Sequence, residues 1–594
     1  MTRDPIDYGA LDAGRDCNYW AYDPTLRREA ARAYPEEEFA WAEDVLRSYG
    51  EVVGTEIADN ADVIDRHDPE LHTYDADGEV VNEVEYHPLQ VDNERRTYGE
   101  FRLTHDAFHP PPGRDDPVGL IHPLTMQALL CFADVGFACP ASMTTGAALV
   151  LEKFDDGTLA KYFDRLTAAD YDRHVEGAMF LTEKQGGSDV GAVETVAEPR
   201  PDGSYALSGE KWFCSNVDAQ GALVLARTPD APEGTAGLSL FLVPHTLPDG
   251  TPNDLRVRRL KDKLGTLSVP TGEIVYEGAT GYLVGETERG FRQMTEMLNY
   301  ERLTNATGAV GVMGRALLEA KVHAASREAF GDRIQEYPLL RRDLAGMTVD
   351  YEAAAAFAFE AARWYDRRER LWPDDDGTDA YRLTRLLVPV AKYKTAELCV
   401  ETTAYAMEVL GGNGYVRDHV TERLFRDAQV LPIWEGTANL LSLDVLRALD
   451  REDAAEALFP LVREHLERAE GPLLASLVGT VEGRFRELQS ALGRLAAGDA
   501  DAAQYHAKRL ADLLFDVVAA AVLLSEARSR LDGAGDAREA LVAEWFVRTR
   551  FGDDEAYGIT GVDGPRPGDD RFDAIARYGS VDPATLPDGW PAGE

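Results

Sequence analysis

The chain has 594 residues, with 105 Asp and Glu against 61 Lys and Arg, and a formal net charge of −44. That length allows several domains and a large core, and a hydrophobic content of 44% is ordinary for a globular protein. The charge argues against a nucleic-acid or anionic-membrane surface, which such a protein repels. It resembles the Lys-poor surfaces of proteins from a high-salt cytoplasm, where the Debye length falls to about 3 Å or less.

The start, Met1-Thr2-Arg3-Asp4, has no apolar run, so no signal peptide is expected. Cys17, Cys131, Cys139, Cys214 and Cys399 are odd in number and far apart, and read as reduced, mostly buried thiols of a cytoplasmic protein. Residues 1–178 read as a mostly helical domain. Residues 35–49 carry Phe39, Trp41, Val45 and Leu46 at helical spacing, and residues 124–137 and 141–154 are strongly apolar, with Pro140 marking the gap. Asp77-Gly78 predicts a hairpin or loop insertion over 75–82. His105 and His109 are four apart, but prolines follow and no third ligand is evident, so a turn is expected and no metal. The longest apolar stretch, 513–524, is broken by Asp516 and too short to span a bilayer, so no membrane role is expected.

The period then changes. Over 179–284, alternating or continuous apolar runs at 204–216, 222–226, 238–243, 255–260 and 271–276 predict a β-sandwich or small barrel, with Asp202-Gly203 as a hairpin turn. Helical periodicity returns over 285–450, in segments near 290–329, 337–371, 379–411 and 435–449, which predict a four-helix bundle with a loop at 374–377. Residues 451–594 read as a further helical domain whose tail, from Gly552, is rich in Gly, Pro and Asp and predicted irregular and exposed. The fold class is α+β, mainly α.

One acidic side chain stands out, in Pro432-Ile433-Trp434-Glu435-Gly436-Thr437-Ala438-Asn439, at the predicted entry to the last bundle helix. A carboxylate beside Trp434 can sit in a dry pocket with its pKa raised, as a proton-abstracting base needs. The plainer reading is a first-turn Glu favoured by the helix dipole. Four further stretches decide between them: Thr182-Glu183-Lys184-Gln185-Gly186-Gly187-Ser188-Asp189, Lys211-Trp212-Phe213-Cys214-Ser215-Asn216, Arg327-Glu328-Ala329-Phe330-Gly331, and Glu408-Val409-Leu410-Gly411-Gly412-Asn413-Gly414-Tyr415. With Arg426-Asp427 before the Trp434 stretch, these resemble, in order, the motifs of the acyl-CoA dehydrogenase family. The wording of the first motif and the added helical domain are most similar to its AidB-type branch, over roughly residues 19–547.

That resemblance implies FAD held between the β domain and the bundle. Met179, Phe180, Leu181 and Thr182 would meet the flavin pyrimidine edge, and Ser188 the phosphate region. Phe213 would lie against the isoalloxazine, with Ser215 near its N5 side. Arg327 and Phe330 would reach FAD held by a neighbouring subunit, a guanidinium suiting its diphosphate. Glu408, Gly411 and Gly412 would line the same cofactor, although Glu408 stands where many members have Gln. Trp434, Gly436, Thr437 and Asn439 are carried over as contacts around the catalytic Glu435. Leu267 replaces a common Arg, so residues 263–274 receive no role. The implied reaction is α,β-dehydrogenation of an acyl-CoA in fatty acid metabolism. Glu435 would take the α-proton, and the β-hydrogen would leave as hydride to flavin N5. Glu301 stands where other branches place the base and is the alternative. Electron-transfer flavoprotein or a similar acceptor, and a homotetramer built as a dimer of dimers, are the implied partners. The competing expectation is an AidB-like flavoprotein with little turnover, acting in alkylation-stress protection or nucleic-acid binding. Arg528, Arg530, Arg548 and Arg550 are too sparse for a phosphate track, so nucleic acid is not expected.

Overall fold

The computed structural model describes residues 4–552, 571–586 and 590. In chain order its elements are α1 (Tyr19–Tyr22), α2 (Pro24–Ala33), α3 (Glu36–Val52), α4 (Ala58–Ile64), β1 (Glu70–Tyr74), β2 (Val80–Glu85), α5 (Pro88–Glu94), α6 (Ile121–Leu130), α7 (Val135–Phe154) and α8 (Ala160–Leu166). Then follow β3 (Gly177–Phe180), β4 (Val196–Pro199), β5 (Tyr205–Ser215), β6 (Gly221–Arg227), β7 (Leu238–Val243), β8 (Leu255–Leu260) and β9 (Thr271–Leu283). The remainder is α9 (Gly290–Ser326), β10 (Glu328–Ala329), β11 (Asp332–Arg333), α10 (Pro338–Glu369), α11 (Asp379–Leu410), α12 (Thr421–Ala428), α13 (Ala438–Arg451), α14 (Ala455–Arg468), α15 (Ala475–Ala497), α16 (Ala500–Ala534), α17 (Arg538–Phe551) and α18 (Arg571–Arg577). The chain divides into two compact units, Met1–Phe39 with Ala309–Glu594, and Ala40–Gly308.

The Ala40–Gly308 unit is built on a closed sheet. β3 and β4 share one edge of β6, β7 takes its other edge, β4 pairs with β5, β5 with β9, and β9 returns to β7. Closure removes the free edges that an open sheet exposes. β6 and β7 run through the core, with Leu223, Val224, Leu225, Leu240, Phe241 and Leu242 buried. The hairpin expected at 75–82 forms between β1 and β2. The Asp75 carboxylate accepts the Asp77 and Glu79 N–H, and Asn82 pins the hairpin to β8 through Leu255 O and Val257 N, both at 2.9 Å.

Pro140 corrects the sequence reading. It lies inside α7, and the break falls earlier, where the Asp134 carboxylate caps the helix by accepting Phe137 N–H. The continuous helix that results is long and apolar enough to cross a membrane, which the reading centred on 513–524 overlooks. However, 89% of its apolar window is buried inside the protein, as a core helix requires.

In the other unit, α10 packs on α2, α11, α16, α17 and α18, and α11 packs on α12, α13 and α16. Buried charge ties these helices together. Arg28 of α2 reaches Glu352 of α10 and Glu526 of α16, each at 3.1 Å, while Arg32 pairs with Glu29, Glu360 and Glu526. Arg538 of α17 grips Glu352 with both terminal nitrogens and donates to Ala574 O and Ile575 O of α18. Ile6 and Arg577 exchange hydrogen bonds, Ile6 N to Arg577 O at 2.8 Å and Arg577 Nε to Ile6 O at 2.9 Å. The tail predicted irregular from Gly552 therefore needs correction for α18, where Phe572 and Ile575 are buried, and for buried Trp590, whose Nε1 donates to Glu544 at 2.7 Å. Residues 553–570 of that tail lie outside the described residues.

Candidate active site

In the Ala40–Gly308 unit, a bulge in β5 sets the site. Lys211 pairs with Ile274 and Cys214 with Gly272, so two residues of β5 oppose one of β9. The extra residue reverses the alternation. Lys211 and Cys214 both point inward, while Phe213 is 55% exposed and Ser215 faces partly out. Thr182 O accepts Trp212 N–H at 2.9 Å, and Ser215 Oγ lies 3.0 Å from Thr271 Oγ1. Thr182, Phe213 and Ser215 are thus gathered beside the bulge. Upstream, Phe180 is buried and Met179 and Leu181 are half-buried; Ser188 is exposed. A Cβ on Gly187 would lie 2.4 Å from Thr182 Oγ1, so this glycine lets the loop close on Thr182. Lys261 Nζ sits 3.6 Å from the Trp212 ring centroid and 4.8 Å from that of Phe213.

Sequence reasoning missed the clamp behind this patch. Buried Lys211 donates to Glu183 Oε1 at 2.8 Å and Leu225 O at 3.0 Å. Glu183 also accepts Glu194 N, Thr195 N and Thr195 Oγ1. Burial alone would raise its pKa; the Lys211 ammonium and these donors overcome that and hold it down to about 2. The available signal was an acid and a lysine within two adjacent motifs, one just past β3 and the other inside β5. Asp134 was missed too. Its Oδ1, which caps α7, also accepts Ser268 Oγ at 2.7 Å, anchoring the 263–274 segment.

Glu301 lies on the α9 portion of this unit and is 6% exposed. It accepts Ser142 Oγ at 2.7 Å, and Ser142 lies 2.7 Å from Thr304 Oγ1. Elsewhere in the unit, Glu94, Glu176 and Asp218 accept from Tyr171 (2.5 Å), Tyr98 (2.7 Å) and Tyr86 (2.8 Å). Desolvation, then mutual repulsion, raises Glu176 to about 8; desolvation raises Glu94 to about 7 and also lifts Asp218.

In the other unit, Glu435 is not a first-turn residue. α13 starts at Ala438 with Thr437 as N-cap, and half-buried Glu435 precedes it in the left-handed region (φ +54), followed by Gly436 at φ +107. Half-buried Trp434 closes the turn before it, donating its N–H to Val430 O. Asn439 lies exposed in the first turn of α13. Lys392, which sequence reasoning also missed, donates from α11 to Gly436 O at 2.7 Å. Glu408 is exposed in the last turn of α11, and Gly411 caps it at φ +62, a conformation that suits glycine, with Gly412 exposed beyond. Arg327 is exposed at the foot of the β10–β11 hairpin, whose turn residues Phe330 and Gly331 both have positive φ. The Phe330 side chain stands fully in solvent, at 101% exposure.

The four surface arginines considered for nucleic acid each face a carboxylate of this chain: Arg528 with Asp532, Arg530 with Asp536, Arg548 with Glu544, and Arg550 with Asp350. No group of three or more metal-ligating side chains occurs among the described residues.

Three family models match: the AidB N-terminal domain of the adaptive response protein over residues 12–173, the acyl-CoA dehydrogenase middle domain over 178–279, and the acyl-CoA dehydrogenase C-terminal domain over 288–449. The putative acyl-CoA dehydrogenase AidB of Escherichia coli K12 is 33% identical over 488 residues, covering 78% of this chain and 86% of that protein. The crystal structure of Caenorhabditis elegans ACDH-11 in complex with C11-CoA superposes with a TM-score of 0.84 at 29% identity, covering 94% of each chain. A Bacillus anthracis acyl-CoA dehydrogenase complexed with FAD shares the fold, with a TM-score of 0.72 at 20% identity over 90% of each chain. The chain belongs to the acyl-CoA dehydrogenase family, on the branch that carries the AidB N-terminal domain.

Proposed function

We propose that the chain is an FAD-dependent acyl-CoA dehydrogenase with Glu435 as the α-proton-abstracting base. The observation that carries this reading is the Trp434-Glu435-Gly436 loop, which presents one carboxylate immediately after Trp434 from a left-handed backbone that an ordinary helix entry does not need. The residues present fit FAD. In the Ala40–Gly308 unit, exposed Phe213 offers a stacking face, with Thr182 and Ser215 near it; in the other unit, Arg327, Gly411 and Gly412 offer an exposed guanidinium and side-chain-free backbone for a diphosphate. When bound, FAD supplies the acceptor for the β-hydrogen. Glu435 takes the α-proton onto its carboxylate, and its own backbone N–H helps hold the thioester oxygen, where negative charge develops. The C11-CoA complex of the nematode structure supports an acyl-CoA substrate. Glu301 is assigned a pocket-shaping role, because its carboxylate is already engaged by Ser142. A flavoprotein acceptor, a dimer of dimers, and a high-salt cytoplasm suited to the −44 charge complete the reading.

The test is an anaerobic titration of the FAD-loaded protein with short, branched and long acyl-CoAs. Bleaching of the flavin band that is lost in Glu435→Gln and kept in Glu301→Gln is expected. The reverse pattern moves the base to Glu301. Bound FAD that no acyl-CoA bleaches favours the second reading, a low-turnover AidB-like flavoprotein, which the AidB N-terminal match supports.

A further inference from the structure

The loop that carries Glu435 adopts a conformation that its own residues do not favour. Glu435 and Gly436 are successive residues at positive φ, +54 and +107. For a non-glycine residue the left-handed region is unfavourable, and it persists only where the surroundings over-determine it. The flanks fix the two ends of the loop. Ile433 and Trp434 both donate to Val430 O upstream, and α13 starts downstream at Ala438, with no side-chain cap bond from Thr437. Between these ends, Lys392 Nζ reaches out of α11 to the Gly436 carbonyl at 2.7 Å.

That lysine is an expensive choice. It is 0% exposed, within an otherwise apolar stretch of α11 that includes Leu387, Val388, Val390 and Ala391, all buried. Taking an ammonium out of water is unfavourable, and an apolar side chain would pack this position of α11 without that cost. Among what the ammonium contributes is a charge-assisted bond to a backbone oxygen of the loop. A carbonyl's direction follows the φ and ψ of the residues around it. Pinning Gly436 O therefore pins the left-handed pair, and with it the direction in which the Glu435 side chain leaves the backbone.

We propose that Lys392 is a positioning residue for the Glu435 carboxylate: it acts through the Gly436 carbonyl and holds the base in register with the substrate α-carbon. The inference rests on the reading of Glu435 as the base. It predicts that loss of the ammonium slows proton abstraction without loosening ligand binding.

The experiment compares wild type, Lys392→Met and Lys392→Arg as FAD-loaded proteins mixed anaerobically with acyl-CoA, and adds hydrogen exchange on the same full-length chains without substrate. Lys392→Met is nearly isosteric and keeps the helix packed. It should retain FAD and bind acyl-CoA within about threefold of wild type while its bleaching rate falls about 10²-fold, the scale of a misplacement near 1 Å. Lys392→Arg keeps a cationic donor and should recover at least about tenfold of that loss. Amides of residues 433–438 should exchange about tenfold faster in Lys392→Met, while those of α10 and α16 are unchanged. An unchanged bleaching rate in Lys392→Met overturns the proposal, whatever the loop does. So does an equal rise in exchange across α10, α11 and α16, which would make Lys392 a general stability residue. If wild type itself does not bleach, the reading of Glu435 as the base fails, and unaltered exchange at 433–438 then also overturns the hold of Lys392 on the loop.

Discussion

Glu176→Gln is expected to stabilise the protein at about pH 8.5 and leave it unchanged near pH 5. Glu176, Glu94 and Asp218 lie in one electrostatically coupled set, each accepting a tyrosine hydroxyl. Tyr98 and Asn216 also face Glu176, Gln90 and Arg95 face Glu94, and His245 faces Asp218. Burial and mutual repulsion raise Glu176 from an ordinary 4.5 to about 8, and burial raises Glu94 to about 7. An acid whose folded pKa is raised binds its proton more tightly folded than unfolded. Its stabilising contribution is complete below about pH 4.5 and is lost as pH rises through 7 to 8. Each tenfold change in proton affinity is about 1.4 kcal/mol, so Glu176 alone, raised from 4.5 to about 8, corresponds to a loss on the order of 5 kcal/mol. Because the acids titrate together, removing one also relieves the others, and the net gain of the single substitution is set at about 2 kcal/mol. In a unit of this size that is roughly 4–8 °C in thermal midpoint. The assay is thermal unfolding from about pH 5 to 8.5 at fixed salt. Two curves that stay parallel across that range, or a wild-type midpoint that does not fall relative to the variant, refute the reasoning.

Two further substitutions probe buried charge. Lys211→Met leaves the Glu183 carboxylate buried without its ammonium and should cost about 3–5 kcal/mol; the double variant with Glu183→Gln should recover part of this in chemical denaturation. Arg538→Met removes the grip on Glu352, Ala574 and Ile575, and limited proteolysis should then cut near α18 at a protease concentration that leaves wild type intact.

What was legible in the sequence was whatever has a period. The strands at 205–215, 221–227, 238–243 and 255–260 and the long helices follow from alternation and from apolar stripes. Pro140 misled because a proline reads as punctuation, yet Asp134, six residues upstream, supplies a stronger helix start. Phe213 and Ser215 were placed on one face by simple alternation, and they do both face outward. Alternation could not show the bulge that turns Lys211 inward beside Cys214, because the extra residue is defined only by the partner strand β9. Lys392 and the Glu94, Glu176 and Asp218 set were invisible for the same reason: each has meaning only through residues far away in the chain, and a lone lysine or glutamate in a sequence reads as solvated surface.

The Arg28, Arg32 and Arg538 network has a consequence for synthesis. Residues 40–308 form one continuous unit, whereas α2 shares its charges with α10, α16 and α17. On a ribosome adding about 5–20 residues per second, residues 40–308 can fold while α2 waits about 25 to 100 s for α17 to be made. Throughout that delay Glu29 and the arginines of α2 remain in water rather than in a half-built core. Charged partners thus keep an early, orphaned helix soluble until the last helices arrive to bury it, a task that an apolar α2 would perform at the risk of aggregation.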